Sequence, residues 1–144
     1  MEVTIGKSAE LIEKAQAIRY QVFTVEQNIP NELDFDGLDS VAEHVLVTET
    51  NRSVATARLV INADGSSVMA RVAVIEAYRG RGIASVVVKA LIEYAKKKGV
   101  SSIEIHAHSY LQNYYQRLGF EFIEEVEVVG EHQLIAMRQK FLTT

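Results

Sequence analysis

The sequence predicts an α/β fold, α+β in its arrangement: a central sheet of about seven strands with three to four helices, in one domain over residues 1–144. Three observations carry this. Short stretches with period-two alternation are interleaved with stretches whose apolar residues recur at helical spacing. Glycine, asparagine and aspartate punctuate the joints between them. The length and composition, 144 residues with 48% hydrophobic and 24% charged, suit one domain without repeats or linkers.

Residues 2–6 alternate and read as a strand, and Ser8 is placed to cap a helix over about 8–24, in which Leu11, Ala15, Ile18 and Val22 share a face. Pro30 and the polar stretch 28–40 break regular structure. Strands at 43–49, 53–61 and 67–75 are separated by the turns at Asn51 and at Asp64-Gly65, which suggests an antiparallel meander. A helix over 82–98 has Ile83, Val87, Ala90, Leu91 and Tyr94 on one face; Lys96, Lys97 and Lys98 suit its negative end, and Gly99 stops it. A strand at 101–107 follows, then a helix from Ser109, whose spacing to Gln112 is that of a capping box, ending at Gly119. Strands at about 120–129 and 132–141 meet at Gly130 in a hairpin.

Several function classes drop out. The net charge of -4 has the wrong sign for a chain that neutralises phosphate backbones, so no nucleic-acid partner is expected. The first 72 residues carry -5 and the remainder +1, a hint that the halves hold different things. With no cysteine there is no disulfide, thiolate nucleophile or thiolate metal site. No apolar run approaches the ~20 residues that span a bilayer, and residues 1–7 lack a signal-peptide core. No membrane partner is expected, and the protein is read as cytoplasmic.

The chemistry concentrates in residues 71–84 (RVAVIEAYRGRGIA), a strand, a glycine-containing turn and a helix start. Gly80 and Gly82 let the backbone turn sharply with its N–H groups in one concavity, to which the new helix adds unpaired N–H groups and its positive dipole end. Such a cradle suits a pyrophosphate, with Arg79 and Arg81 adding charge. The same residues suit a plain strand-to-helix connection, and local physics alone does not choose. A P-loop is excluded, because the Gly6-Lys7-Ser8 run has no glycine five residues earlier, and a Rossmann fingerprint fails because Ser85 follows where glycine or alanine is needed.

Arg79, Gly82 and Ala84 after a Val-Ala-Val strand resemble the acyl-CoA pyrophosphate loop of the GNAT N-acetyltransferase superfamily, and residues 114–120 (YYQRLGF) resemble its second motif. The resemblance covers about residues 2–141. Residues 19–27 (RYQVFTVEQ), with Asp34, Asp36, Asp39 and His44, are similar to the ElaA-like branch of N-acyltransferases. They are also similar to the start of acyl-homoserine-lactone synthases, although the chain is short for a synthase and lacks that family's aromatic spacing.

The resemblance implies a mixed sheet splayed between strands 67–75 and 101–107, and an enzyme that moves the acetyl group of acetyl-CoA to a primary amine of a small cationic acceptor in a ternary complex. It implies that residues 80–84, namely Gly80, Arg81, Gly82, Ile83 and Ala84, hold the CoA pyrophosphate together with Arg79, and that Val72, Ala73 and Val74 pair with the pantetheine arm, the N–H of Val74 polarising the thioester carbonyl. It places Tyr115 as the acid that protonates the thiolate; the bland alternative is a packed helix aromatic. His108 stands where an asparagine is usual. The acceptor side falls to Glu26 and Asp39 as proton-accepting groups and to Asp34, Asp36 and His44 as acceptor-binding groups; the alternative is that these acids cap and solvate a turn. A non-catalytic acyl-CoA-binding module on the same fold is the competing function, and a homodimer is compatible with either. His106 and His108 share a strand face but lack a third ligand nearby, so no metal is expected. His44 and His132 read as ordinary polar or partly buried residues, and His44 and His106 are next in line as bases should the acidic segment be structural.

Overall fold

The computed structural model describes residues 1–141, and its elements follow the expected order. Strand β1 (Glu2–Gly6) leads into α1 (Ala9–Arg19), and β2 (Glu43–Glu49), β3 (Arg52–Ile61) and β4 (Ser66–Val74) form the antiparallel meander. Helix α2 (Ile83–Lys97), β5 (Ser102–His108), α3 (Gln112–Arg117) and the hairpin of β6 (Glu121–Val129) and β7 (His132–Lys140) complete the chain. Among the described residues seven strands make one mixed sheet in the order β1-β2-β3-β4-β5-β7-β6, in which β4 and β5 alone run parallel.

The centre of the sheet is buried on both faces. Residues 54–59 of β3 are all buried although consecutive strand residues point to opposite sides. Both α1 and α2 pack on this strand, and α1 lies on the side of Arg58 and His44, because Arg19 at its end shares Asp39 with Arg58. Helix α2 contributes the buried stripe Ile83, Val87, Val88, Leu91, Ile92 and Ala95. At about 25 cal/mol per Å², stripes of this kind are the dominant favourable contribution to the fold. No helix among the described residues is long and apolar enough to cross a membrane.

Two local expectations change. The first helix does not run to residue 24: Ser8 caps it as expected, accepting from the Leu11 N–H at 3.2 Å, but after Arg19 the backbone widens into a π-helical segment, Tyr20–Glu26. The wider winding keeps Val22 buried while bringing Phe23 to the main cavity, a common use of π-helical turns near functional sites. Ser109 does not cap α3. A 3₁₀ turn (Ser109–Leu111) intervenes, α3 starts at Gln112, and its N-terminus has no side-chain cap.

β4 and β5 are the strands that matter for function. They are paired only from Ser66 with Ser102 to Met69 with Ile105. Beyond that point residues 70–74 and 106–108 diverge, the splay that the family resemblance implies. β4 also bulges: Arg71 and Val72 together oppose the single residue Ala57 of β3, and Arg71 sits at φ +61°.

Candidate active site

The gap between the splayed strands opens into a cavity of about 880 Å³. One wall is the end of β4, with Val72, Ala73 and Val74, and the other is β5, with Ile105, His106, Ala107 and His108. Strand alternation fixes which backbone groups face the gap. The Ile75 N–H donates to the Val54 carbonyl at 3.0 Å, so it points toward β3, and the N–H of Val74 points the opposite way, toward β5. Among the described residues that edge of β4 has no partner strand there, and an extended arm fits it as an added strand.

At the end of β4 the chain turns through Gly80 (φ +79°) and Gly82 (φ +75°) into α2. Both φ values are ones that side chains resist. A Cβ built at either glycine meets nothing within 4 Å, so the protein's own atoms leave open space around the turn. The first bond of α2 runs from the Val86 N–H to the Gly82 carbonyl, and among the described residues no acceptor takes the N–H groups of residues 80–85. A ring of unpaired N–H groups at the positive end of a 15-residue helix, beside empty space, fits a diphosphate. The two arginines part company here. Arg79 lines the cavity, donates from Nε to the Val74 carbonyl at 2.9 Å and pairs with Glu26 at 2.7 Å, whereas the Arg81 side chain turns away to stack on Tyr78, 4.8 Å from its ring centre.

Across the gap stands Tyr115, 4% exposed and on the cavity wall. Its ring packs edge-on against Tyr114 and Phe120, at 5.1 and 5.9 Å between centroids. Its hydroxyl has no hydrogen-bond partner among the described residues, and burial, reinforced by Tyr114 and Tyr110, pushes its pKa up. The phenol therefore stays protonated at neutral pH, the form a proton donor requires. Tyr114 is anchored separately, its hydroxyl 2.7 Å from that of Ser85 on α2. His108 lies nearby against Tyr110 and His132, and burial, with His132 second, lowers its pKa.

The acidic segment is organised by three arginines to which the sequence alone assigns no role. Arg19 donates from Nε to Asp34 at 2.9 Å and from both terminal nitrogens to Asp39, at 2.9 and 3.0 Å. Arg58 pairs with Asp36 and with Asp39, the latter at 2.9 Å, and Arg71 on the bulge pairs with Asp34 at 2.9 Å. Burial works against the Asp39 charge, but the hydrogen bonds from Arg19 and Gln16 outweigh it and hold the carboxylate well below its usual range.

This placement changes the expected roles. Asp34 and Asp36 line the cavity, but each is already met by arginine. Asp39 does not line it, and a carboxylate held this low by two arginines is a strut rather than a proton acceptor. His44 is fully buried, donates from Nε2 to the Asp39 carbonyl at 2.9 Å, and is kept neutral chiefly by burial, so it too braces the segment instead of touching an acceptor. Glu26 is taken up by Arg79 and is likewise off the cavity wall. Glu127 of β6 is on the wall, unannounced by the sequence, because its position depends on a register shift between Glu125 and Val128. Among the described residues no group of three or more histidines, aspartates or glutamates is placed to hold a metal ion.

The chain is similar to known proteins over most of its length. The family model described as acetyltransferase (GNAT) family matches residues 10–120. The chain is 29% identical over 127 residues to the uncharacterized N-acetyltransferase YjcF of Bacillus subtilis, spanning 88% of this chain and 90% of that one. It is 33% identical over 113 residues to the protein ElaA of Escherichia coli, spanning 76% and 74%, and the crystal structure of E. coli ElaA superposes with a TM-score of 0.86 over 96% and 99% of the two chains. An acyl-CoA N-acyltransferase from Pseudomonas aeruginosa superposes with a TM-score of 0.85 at 28% identity, over 96% and 98%.

Proposed function

The chain belongs to the GNAT acetyltransferase family, and on that premise we propose that it transfers the acetyl group of acetyl-CoA to the primary amine of a small cationic acceptor, in the cytoplasm. The observation that carries the donor half is the cradle at residues 80–85, with open space and unpaired N–H groups at the mouth of a gap whose β4 edge is unpaired. The P. aeruginosa neighbour is named an acyl-CoA N-acyltransferase, which supports the same donor class.

Acetyl-CoA supplies an activated thioester when bound. The residues of this chain do the rest. The N–H groups of residues 80–85 and the α2 dipole hold the diphosphate, with Gly82 allowing close approach. Val72 and Val74 offer backbone groups to the pantetheine arm, and the Val74 N–H donates to the carbonyl oxygen as charge develops on it. The Tyr115 hydroxyl, protonated and free of other partners, gives its proton to the departing sulfur. The Asp-Arg lattice holds the segment 34–39 against the open side of the gap.

The test is release of CoA thiol from acetyl-CoA over a panel of amines. Amine-dependent release is the expected result. Binding of acetyl-CoA without release for any amine overturns the enzyme reading in favour of a non-catalytic acyl-CoA-binding module.

A further inference from the structure

Among the described residues the cavity wall carries three carboxylates, Asp34, Asp36 and Glu127. Asp34 is paired with Arg19 and Arg71, and Asp36 with Arg58 and Arg71. Glu127 alone among them has no arginine within 4 Å; its one ion-pair partner among the described residues is His106, and its side chain is 51% exposed. An ammonium group entering this cavity finds the other two carboxylates already neutralised.

His106 does not end there. Its Nδ1 lies 3.2 Å from Glu127 Oε1 and its Nε2 lies 3.1 Å from Glu104 Oε2. Glu104, which also accepts from Arg138 at 3.2 Å, lines a second, polar cavity of about 390 Å³ together with Asn62, Ser102 and Lys140. The imidazole thus bridges the main cavity and a separate one, with a carboxylate on each ring nitrogen.

Resting on the amine-acceptor reading above, we propose that Glu127 receives the acceptor's ammonium group and that His106 passes its proton to Glu104 and out through the second cavity. An alkylammonium with a pKa near ~10.4 must lose a proton before its nitrogen attacks, so a path for that proton is required. The steps balance. The ammonium N–H bond breaks and its proton joins a Glu127 oxygen; Glu127 hands a proton to Nδ1 of the neutral imidazole as Nε2–H gives its own to Glu104, which loses it to water. The amine is left neutral and both carboxylates are ionised again; the imidazole, left as its Nδ1–H tautomer, returns to Nε2–H by proton exchange with water, which its 33% exposed side chain allows. Glu127 is then a catalytic residue, while His106 and Glu104 act through it.

Two measurements test this. In steady-state kinetics, Glu127→Gln raises KM for the amine at least ~10-fold with KM for acetyl-CoA unchanged, while Glu104→Gln lowers kcat ~10-fold with the amine KM near the parent value. In ¹⁵N NMR of the histidine rings, n-butylamine and 1,4-diaminobutane shift the His106 nitrogens saturably, 1-butanol does not, and Glu127→Gln abolishes the response. Parent-like amine KM in Glu127→Gln, or no His106 shift with either amine, overturns the proposal. The two readings fail separately: a His106 shift without thiol release for any amine sinks the transferase reading and leaves the cation site, whereas thiol release with parent-like kinetics in Glu127→Gln does the reverse.

Discussion

Arg71 Nε lies 2.9 Å from Asp34 Oδ1, which ties the bulge of β4 to the irregular segment that flanks the gap. Arg71 reaches that carboxylate from a backbone at φ +61°, a conformation that costs a residue with a Cβ roughly 1–2 kcal/mol. The bulge therefore persists because the ion pair and the β3–β4 register on either side of it outweigh the local strain.

A reversal of the ordinary strand preference follows at this position. Glycine in a strand interior is usually worse than alanine, but at φ +61° alanine keeps the strain and glycine relieves it. Both variants lose the pair with Asp34. Urea unfolding of Arg71→Gly and Arg71→Ala is expected to show the glycine variant more stable by about 1 kcal/mol. Equal midpoints, or alanine above glycine, would mean that Arg71 is not in the left-handed region.

Gly82→Val is expected to abolish acetyl-CoA binding while the protein stays folded. The added side chain meets no protein atom, so its cost to stability is the strain at φ +75°, about 1–2 kcal/mol. Its effect on binding is much larger, because the methyl groups fill the space a diphosphate needs. Calorimetric titration with acetyl-CoA is the direct check, with thermal unfolding alongside to verify the fold.

Tyr115→Phe keeps the edge-on packing with Tyr114 and Phe120 and removes only the hydroxyl. Acetyl-CoA affinity is expected to hold while kcat falls ~10²–10⁴-fold, the usual worth of a positioned acid. Parent-like turnover would assign the proton to water or to another group.

Stability is expected to fall with acid in two stages. His44 and His108 are kept neutral in the fold chiefly by burial, so the unfolded chain takes up more protons below about pH 6.5. Their contribution is complete above that pH and is lost as pH falls through it. Asp39 and Asp36 are held below the usual carboxylate range, so their contribution is complete above about pH 4 and is lost below it. Urea midpoints at pH 8, 5.5 and 3.5 resolve the two stages, and His44→Asn is expected to shrink the first and leave the second. A midpoint that rises on acidification would reverse the sign of the argument.

What the sequence by itself determined is local. Gly80 and Gly82 before an apolar helical stripe mark a sharp turn into α2, and the turn, the stripe and the spacing of Tyr115 from Gly119 were all legible, because the groups that act there are neighbours in the chain. The splay between β4 and β5 was expected only through the family resemblance, not from the residues of the two strands themselves. The acceptor side was not legible. Asp34, Asp36, Asp39 and Glu26 looked alike as acids beside an irregular stretch, yet arginines distant in sequence, at 19, 58, 71 and 79, decide that all four are spoken for. Glu127 gave no signal at all, since an acid in an alternating edge strand reads as solvated until a register shift in β6 turns it toward His106. Whether a carboxylate is a strut or a free anion depends on which cations reach it, and that is settled by the packing of α1, β3 and β4 around it rather than by its neighbours along the chain.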